Sequence, residues 1–313
     1  MTKKLITVLG ATGAQGGGLA RAILADSSGQ FALRAVTRKP AGDAARALAA
    51  AGAELVSADL DDQASLQRAF EGAHGAFCVT NYWEHMSPDK EIAQARNLAQ
   101  ACKASGVAHA IWSTLEDTRL RVPLTDERMP TLQGGFKVPH FDTKGSSDTF
   151  FDASRTTFLV TSFYWDNLIY FGMGPKPTDD GKLGFVLPMA DRKLPGIAAE
   201  DIGKCAFGLF KRGASTLGQH IGIAGEHLTG AQMAAALSRA LEREVVHQAV
   251  PPQVYRSFGF PGADDIGNMF QYKADFEAEY CAARSVEESR ALNPELLTFA
   301  AWLAKYKSKI PLA

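Results

Sequence analysis

The chain has 313 residues, of which 46% are apolar and 21% charged, and its formal net charge is −1. A globular chain of this length can bury the core of one large α/β domain, or of one domain with a smaller lobe. The balanced charge argues against a nucleic-acid partner and a membrane surface, and no apolar run is long enough to span a bilayer.

The four cysteines, Cys78, Cys102, Cys205 and Cys281, lie far apart in the sequence. None forms a Cys-x-x-Cys pair or sits with histidines at the spacing of a zinc site, so no metal centre is predicted. We expect reduced thiols, mostly in the core. The N-terminus enters an apolar strand almost at once and shows no signal peptide, so the sequence predicts a cytoplasmic protein.

The first motif runs from Lys4 to Leu24 and reads KLITVLGATGAQGGGLARAIL. A β-rich apolar run predicts a buried strand over Leu5–Leu9, then Gly10, Gly13 and Gly16 follow, and apolar residues recur at helical spacing. Strand, glycine turn and helix form the context of a dinucleotide-binding loop, in which the helix N-terminus faces the pyrophosphate. The GxxGxxG spacing is typical of extended or atypical short-chain dehydrogenases.

Strand and helix patterns alternate through the first half of the chain, which predicts a parallel sheet with helices on both faces. We therefore expect an α/β fold with a Rossmann-type doubly wound parallel sheet. The strands predicted after the first are Phe31–Thr37, Glu54–Ala58, Gly75–Thr80, His109–Ser113 and Thr157–Ser162. The helical patterns between them cover Ala44–Ala51, Asp62–Phe70, Asp89–Ser105 and Lys144–Ala153.

The segment from Leu115 to Pro139 breaks this alternation. It is polar and basic, and it contains three prolines and the pair Gly134–Gly135. A loop of this length inside a compact domain is usually functional or mobile. Two interpretations stay open, a surface flap near the ligand and an inert insertion.

After Ser162 the strict alternation stops, and we expect a smaller, mixed and helix-rich C-terminal lobe. The Rossmann domain is predicted to cover 1–162 with a return segment at 197–224, and the lobe to cover 163–196 and 225–313. The elements expected here are strands at Leu183–Leu187 and Gln219–Ala224, and helices at Ala198–Phe210, after the N-cap Thr229 to Leu241, Pro251–Phe258, Ala263–Phe270 and Pro294–Tyr306. A cleft between the lobes would take a substrate or effector.

The end of the second strand bears on the choice of cofactor. An NAD enzyme normally has an acid there for the ribose hydroxyls, whereas this chain has Thr37-Arg38-Lys39. Two cations suit a 2′-phosphate, so the sequence favours NADP(H) over NAD(H). The alternative is that Arg38 and Lys39 form only a solvated basic loop edge.

The ends of the next two strands carry further candidate contacts, because ligands bind at the carboxyl ends of strands in such sheets. The third strand ends where adenine is usually bound, and the fourth should line the ribose and the pyrophosphate. The residues predicted for these contacts are Asp59 and Leu60, then Thr80, Asn81 and Tyr82.

Short-chain dehydrogenases relay a proton through a Tyr-x-x-x-Lys pair on one helix face. The matching segment here is HFDTK, so Lys144 is present and His140 takes the tyrosine position. Lys144 is predicted to bind the nicotinamide ribose. His140 is either a proton-exchanging residue or a plain helix-start residue after Pro139, and Ser113 or Thr114 is the candidate polar partner. No catalytic residue is assigned from these residues.

Eight segments together resemble the NmrA-like family of atypical short-chain dehydrogenases: GATGAQGG, VTR, DLDD, VTNYWE, PHFDTKG, FYWDN, PGIAAEDIG and GFPGADD. The resemblance covers essentially the whole chain. It implies a Rossmann-type NADP-binding domain with a small C-terminal lobe and without the catalytic tyrosine. It also implies a role in redox sensing and regulation through protein partners.

The resemblance also implies site residues. The phosphate loop comprises Gly10, Ala11, Thr12, Gly13, Ala14 and Gln15, the 2′-phosphate site is Arg38, and the ribose and pyrophosphate contacts are Thr80, Asn81 and Lys144. Arg96 stands where relatives can have a lysine near the cofactor. Tyr164 to Asn167 resembles the segment that flanks the nicotinamide, the alternative being a core aromatic cluster. Pro40-Ala41-Gly42 departs from the more basic relatives, so a weaker NADP preference is expected.

The sequence therefore favours an NADP(H)-binding redox sensor that acts on a protein partner as a monomer or homodimer. The alternative is an NADPH-dependent reductase of quinones or electrophilic carbonyls, with Tyr82–Trp83 and Phe163–Trp165 stacking a flat substrate and Tyr82 or Tyr164 as the proton donor. Direct DNA binding finds no support, because the charge is balanced and no basic helix is present.

Overall fold

A computed structural model describes residues 2–312. Its strands are β1 (Lys4–Val8), β2 (Phe31–Val36), β3 (Glu54–Val56), β4 (Gly75–Cys78), β5 (His109–Thr114), β6 (Thr156–Val160), β7 (Phe163–Tyr164), β8 (Lys176–Pro177), β9 (Leu183–Val186), β10 (Lys193–Ile197), β11 (His220–Gly222), β12 (Glu226–Thr229) and β13 (Val245–Gln248). Its α-helices are α1 (Ala14–Ala25), α2 (Asp43–Ala50), α3 (Gln63–Phe70), α4 (Pro88–Ala104), α5 (Pro139–Ser147), α6 (Asn167–Tyr170), α7 (Ala199–Arg212), α8 (Gly230–Leu241), α9 (Pro252–Arg256), α10 (Ala263–Asp275), α11 (Glu277–Ala282), α12 (Val286–Leu292) and α13 (Phe299–Tyr306).

Within residues 2–312 the main sheet has seven strands in the order β11-β6-β5-β4-β1-β2-β3, and every pairing in it is parallel. Strands β4, β5 and β6 are buried along their whole length, as expected for strands covered by helices on both faces. The strand order reverses between β1 and β4, which opens a crevice at their carboxyl ends. The predicted Rossmann-type doubly wound sheet is confirmed.

Helices α1 and α7 pack against each other with almost no side chain between them. A Cβ on Gly18 of α1 would collide with the backbone carbonyl of Glu200, and a Cβ on Gly203 of α7 would collide with the backbone nitrogen of Leu19. Glycine is therefore needed at both positions for the helices to approach this closely. The predicted return of the chain to the main sheet is also observed, because β11 pairs with the edge of β6.

The segment 115–139 is anchored to the C-terminal half of the chain, and it also reaches the cleft, which Leu115 lines. Val122, Met129 and Val138 are fully buried in a core shared with the C-terminal half of the chain. The amide of Asn268 on α10 donates to the carbonyls of Pro130 and Lys137, at 3.0 and 2.6 Å. These contacts hold the loop's backbone in place, since buried carbonyls need hydrogen-bond partners.

Several helix boundaries differ from the prediction. Helix α5 begins at Pro139 rather than at Lys144, because proline is favoured in the first turn, where its missing N–H leaves no bond unmade. Helix α10 continues to Asp275, and α13 begins only at Phe299. The early start of α5 matters most, because it places His140 and Lys144 on one helix, one turn apart.

The C-terminal half contains two small three-stranded sheets, in the orders β12-β10-β7 and β13-β9-β8, within the described residues. The predicted helix after Thr229 is confirmed, and Thr229 and Gln232 form a capping box at its start. Trp165, Phe299 and Trp302 pack together in the core of this half. In residues 2–312 no helix combines the length and apolarity needed to cross a bilayer.

Candidate functional site

A cleft of about 940 Å³ opens at the carboxyl ends of β1, β2, β3 and β4 and extends to α5, α6 and α10. All of the predicted site residues except Ala11 and Arg96 line this cleft. They are Gly10, Thr12, Gly13, Ala14, Gln15, Arg38, Asp59, Leu60, Thr80, Asn81, Tyr82, Lys144, Tyr164 and Asn167. The structure thus brings together residues from six separate segments of the chain.

The glycine turn after β1 is shaped to leave room for a ligand at the start of α1. Gly10 has a φ of +60°, and a Cβ on Gly16 would lie only 2.6 Å from the carbonyl oxygen of Leu9. Gly13 is the N-cap of α1 and provides no capping side chain, so the N–H groups of the first helical turn lack an intrahelical partner. Such a bare helix N-terminus fits an anionic diphosphate group.

Gln15 ties this loop to the opposite wall of the cleft. Its side-chain nitrogen donates to the Tyr164 hydroxyl at 2.6 Å, and its side-chain oxygen accepts from the Ser113 hydroxyl at 2.8 Å. Burial raises the pKa of Tyr164, so its phenol stays protonated at neutral pH. Ser113, predicted as a polar partner of His140, instead donates to Gln15, and Thr114 donates to Asp148.

Arg38 is held at the cleft edge by an acid that the sequence analysis missed. Its guanidinium lies 2.5 Å from the carboxylate of Glu84, and both side chains are largely exposed. The hydrogen bond that Arg38 donates to Glu84 raises the pKa of Arg38, with smaller electrostatic contributions from Asp59 and Asp61. Glu84 thus pairs with the cation predicted to bind a 2′-phosphate. The VTNYWE segment contains Glu84, but the folded chain is needed to place it beside Arg38.

Lys144 belongs to a buried polar network. Its ammonium donates to the Thr80 hydroxyl at 2.5 Å and lies 2.9 Å from the carboxylate of Glu91. The Thr80 hydroxyl donates in turn to Glu91, which is fully buried, and His85 lies 3.3 Å from the other Glu91 oxygen. Glu91 was not predicted from the sequence as a site residue. Its position is nevertheless a signal, because this acid shares the buried face of α4 with Ala95, Leu98 and Cys102. The network fixes the Lys144 ammonium at the end of β4.

Asn81 and Tyr82 follow Thr80 at the carboxyl end of β4. Asn81 is exposed at the cleft, whereas the Tyr82 ring is buried and its hydroxyl accepts from Gln133 at 3.0 Å. Burial raises the pKa of Tyr82, and the nearby carboxylate of Asp265 raises it further. The ring packs edge-on against Trp83 at a centroid distance of 5.5 Å. Tyr82 therefore contributes an aromatic, un-ionised wall.

His140 is paired with an acid from the C-terminal half. Its Nδ1 lies 2.7 Å from one oxygen of Asp265, and its backbone N–H donates to the other oxygen at 3.2 Å. Both side chains are nearly buried, and His140 lines the cleft. A carboxylate on Nδ1 fixes the orientation of the imidazole ring at the cleft. Asp265 lies in the segment GFPGADD, and the sequence alone gave Asp265 no role in the site.

The segment Tyr164 to Asn167 was considered either as a flank of the nicotinamide or as part of a core aromatic cluster, and Tyr164 and Trp165 differ in this respect. Tyr164 and Asn167 line the cleft, whereas Trp165 is buried in the C-terminal core, its ring 5.3 Å from that of Phe299. Tyr164 is the last residue of β7, and Trp165 directly follows this strand.

Two predicted site residues lie elsewhere. Arg96 is exposed on α4 and stacks over the ring of Phe150 at 4.7 Å, outside the cleft. The structure does not bring Arg96 to the cleft, because its side chain leaves α4 on a different face from Glu91. Ala11 directs its methyl group into the core beneath the glycine turn, so it could contribute only backbone to the site.

Comparison with known proteins agrees with this architecture. The NmrA-like family oxidoreductase FrzB of Cladobotryum sp is 27% identical over 305 residues, which cover 92% of this chain and 89% of FrzB. The crystal structure of NmrA, a negative transcriptional regulator, aligns with a TM-score of 0.77 at 25% identity, covering 96% of this chain and 95% of NmrA. An NmrA structure in complex with NADP aligns over 97% and 95% of the chains at 24% identity, with a TM-score of 0.76.

The family assignment rests on the length of the match. The model of the NmrA-like family matches residues 2–303, which include the glycine turn, the buried Lys144 network and the His140–Asp265 pair. The match thus extends through both the main sheet and the C-terminal half. The chain belongs to the NmrA-like family.

Proposed function

We propose that the cleft binds NADP(H). The bare N-terminus of α1 fits the diphosphate, Lys144 and Asn81 are placed for the nicotinamide ribose, and Arg38 for the 2′-phosphate. The NADP complex of NmrA, a relative with the same fold, supports this assignment. Glu84 weakens it in one respect, because a phosphate must compete with this carboxylate for Arg38. We therefore infer a preference for NADPH that is real but moderate.

This preference can be tested at Arg38. In Arg38→Ala, NADPH binding should weaken about 10- to 100-fold, the effect of losing a charge-assisted hydrogen bond, while NADH binding changes little. Glu84→Gln should have the opposite effect and strengthen NADPH binding about two- to fivefold, since an exposed ion pair is worth little. Calorimetric titration of both nucleotides measures these values. Equal losses for NADPH and NADH in Arg38→Ala would place the 2′-phosphate elsewhere.

We further propose that the protein is an NADPH-dependent reductase of flat, conjugated carbonyl compounds such as quinones. The bound cofactor would supply a hydride. His140, oriented by Asp265, would donate a proton from Nε2 to the carbonyl oxygen that becomes negative. The ring of Trp83 lies 4.7 Å from that of His140, so an aromatic wall adjoins the proton donor and suits a planar acceptor.

The observation that carries this proposal is the His140–Asp265 pair. A histidine at the tyrosine position of the short-chain dehydrogenase motif would be of little use as a surface residue. Here it is buried, paired with the carboxylate of Asp265 and one helical turn from Lys144. A positioned acid of this kind contributes about 10²- to 10⁴-fold to catalysis.

The test is NADPH oxidation, followed at the nicotinamide absorbance, with a panel of quinones and reactive carbonyls. In His140→Ala, kcat for a carbonyl acceptor should fall about 10²- to 10⁴-fold while NADPH binding stays unchanged. Asp265→Asn should cause a smaller fall. His220→Ala is the matched control, because His220 also pairs with a carboxylate, that of Asp148 at 2.9 Å, but lies outside the cleft. NADPH that binds tightly and is never oxidised would overturn the reductase proposal.

A second candidate function is a redox-state sensor acting on a protein partner. It is favoured by the alignment with NmrA, a negative transcriptional regulator, at a TM-score of 0.77. In that case nucleotide binding, rather than turnover, would carry the signal, and the two oxidation states would have to stabilise different conformations. Tight NADPH binding without oxidation of any acceptor would favour this function.

A further inference from the structure

One wall of the cleft is formed by α10 and by the connection between β6 and β7. Ile266, Met269 and Lys273 lie on one face of α10, at helical spacing, and all three line the cleft. Ser162 and Phe163 also line the cleft, and the ring centroid of Phe163 lies 5.9 Å from the Lys273 ammonium. The wall is mostly apolar, but it contains two polar groups that the proposed hydride transfer does not use.

The first is Lys273, which is only 2% exposed. Its ammonium lies 5.3–5.9 Å from the ring centroids of four aromatic residues, Phe141, Phe163, Phe270 and Tyr280. Among residues 2–312 its one hydrogen-bond acceptor is the thioether of Met269 at 3.2 Å, and no carboxylate lies within 4.0 Å. Aromatic faces attract a cation, but they do not replace the hydrogen bonds that it makes in water.

The second is Ser162, whose hydroxyl is buried and has no hydrogen-bond partner among residues 2–312. It directly precedes Phe163, whose ring is one of the four around the Lys273 ammonium. Buried polar groups without partners are rare, so an unpartnered hydroxyl and an ammonium with only a thioether acceptor, both lining a ligand cleft, need an explanation. A ligand oxygen would supply the missing acceptor.

We propose that Lys273, assisted by Ser162, anchors an acidic oxygen of the substrate. This anchor rests on the reductase function proposed above. It identifies the substrate class as flat conjugated compounds that carry a carboxylate, enolate or phenolate. The aromatic rings around Lys273 would stack the planar part, and the ammonium would pair with the ionised oxygen. Anchoring at this wall would leave the carbonyl end of the substrate free to reach His140.

The electrostatic surroundings of Lys273 make this pairing dependent on pH. Burial and, to a smaller extent, the nearby Arg284 lower the pKa of Lys273 to about 7, although Glu116 acts in the opposite direction. Glu116 and Arg284 form an ion pair with pKa values displaced away from neutrality, and the pKa of Tyr280 is raised by burial. Of these groups, Lys273 therefore titrates near neutral pH. Above pH 7 the free site is neutral and must take up a proton when an anion binds.

The experiment compares two probes of nearly equal size, 2-hydroxy-1,4-naphthoquinone, which is ionised at neutral pH, and its neutral 2-methoxy analogue. Their binding to the full chain saturated with NADP⁺, where no turnover occurs, is measured by calorimetry. At pH 6.5 the ionised probe should bind at least about tenfold more tightly. Above pH 7 its Kd should rise toward tenfold per pH unit, while the Kd of the methoxy probe stays flat.

Lys273→Met should reduce the preference for the ionised probe to threefold or less and should abolish the pH dependence. Lys309→Met is the matched control, because Lys309 also lies over an aromatic ring, 5.3 Å from that of Tyr306, but outside the cleft. Equal affinity of the wild type for both probes, or a preference that survives in Lys273→Met, would overturn the proposal. The pH series is measured on the wild type. It therefore tests the proposal even if Lys273→Met impairs folding.

Failure of this proposal and failure of the reductase proposal are distinguishable, because the readout is equilibrium binding and not hydride transfer. If neutral quinones are reduced but binding shows no Lys273-dependent preference for the ionised probe, the reductase proposal stands and the anchoring role of Lys273 is rejected. If the ionised probe binds through Lys273 but no acceptor oxidises NADPH, the anchoring role of Lys273 stands and the reductase proposal is rejected.

Discussion

Replacement of Gly13 by aspartate is expected to abolish NADPH binding and to leave the fold intact. Gly13 is the N-cap of α1 with extended backbone angles, φ −94° and ψ −172°, which aspartate adopts readily. Aspartate is also a preferred N-cap residue, since its carboxylate accepts from the N–H groups of the first turn. In Gly13→Asp that carboxylate would occupy the position proposed for the diphosphate and repel it.

We expect Gly13→Asp to lose at least about a hundredfold in NADPH affinity, equivalent to about 2.7 kcal/mol. The melting temperature should stay close to that of the wild type, because the capping carboxylate offsets a tight contact of 3.2 Å between the new Cβ and the carbonyl oxygen of Gly10. Titration of NADPH and thermal unfolding measure the two quantities separately. Gly135→Asp is the control, because a Cβ on Gly135 would meet nothing within 4 Å and this glycine lies outside the cleft. Unchanged NADPH affinity in Gly13→Asp would show that the glycine turn does not hold the nucleotide.

Removal of the Lys144 ammonium should damage both stability and nucleotide binding. Lys144→Met leaves the carboxylate of Glu91 fully buried without its cation, and breaking a buried ion pair in this way costs about 3–5 kcal/mol. The variant should therefore unfold at a clearly lower denaturant concentration and bind NADPH poorly.

The double variant Lys144→Met/Glu91→Gln separates these two effects. It no longer contains the unpaired charge, so it should recover most of the lost stability, whereas NADPH binding should stay weak because the cation proposed for the ribose is still missing. Urea unfolding and nucleotide titration on the wild type, both single variants and the double variant complete the cycle. Recovery of NADPH binding in the double variant would make Lys144 a structural residue only.

The parts of the site that could be predicted from the sequence are those formed by neighbouring residues. The glycine turn lies within one strand–turn–helix unit, and the ends of the parallel strands must meet at one edge of the sheet. Arg38, Thr80 and Tyr82 could therefore be placed before the fold was known. Lys144 could also be placed, because its spacing from His140 keeps both on one helix face.

The remaining contacts depend on segments that meet only in the folded chain. Asp265 reaches His140 from the C-terminal half, and Glu84 reaches Arg38 from the end of another strand. Lys273 carries no local signal, because a lysine on a helix is normally solvated and its burial follows from the packing of α5, β7 and α11 around α10. The anchoring of 115–139 was unpredictable for the same reason, since its hydrogen-bond partner Asn268 is distant in sequence.

The glycine contact between α1 and α7 has a consequence for the order in which the chain can fold during synthesis. Strand β1 and the glycine turn are synthesised well before α7, so α1 stays uncovered until α7 is made. A nascent chain ending near residue 162 would expose the glycine-rich face of α1 and leave β6 as an open sheet edge. Closing so long a loop is slow, so the glycine turn and α1 are stabilised late, although they are made long before the helix that covers them.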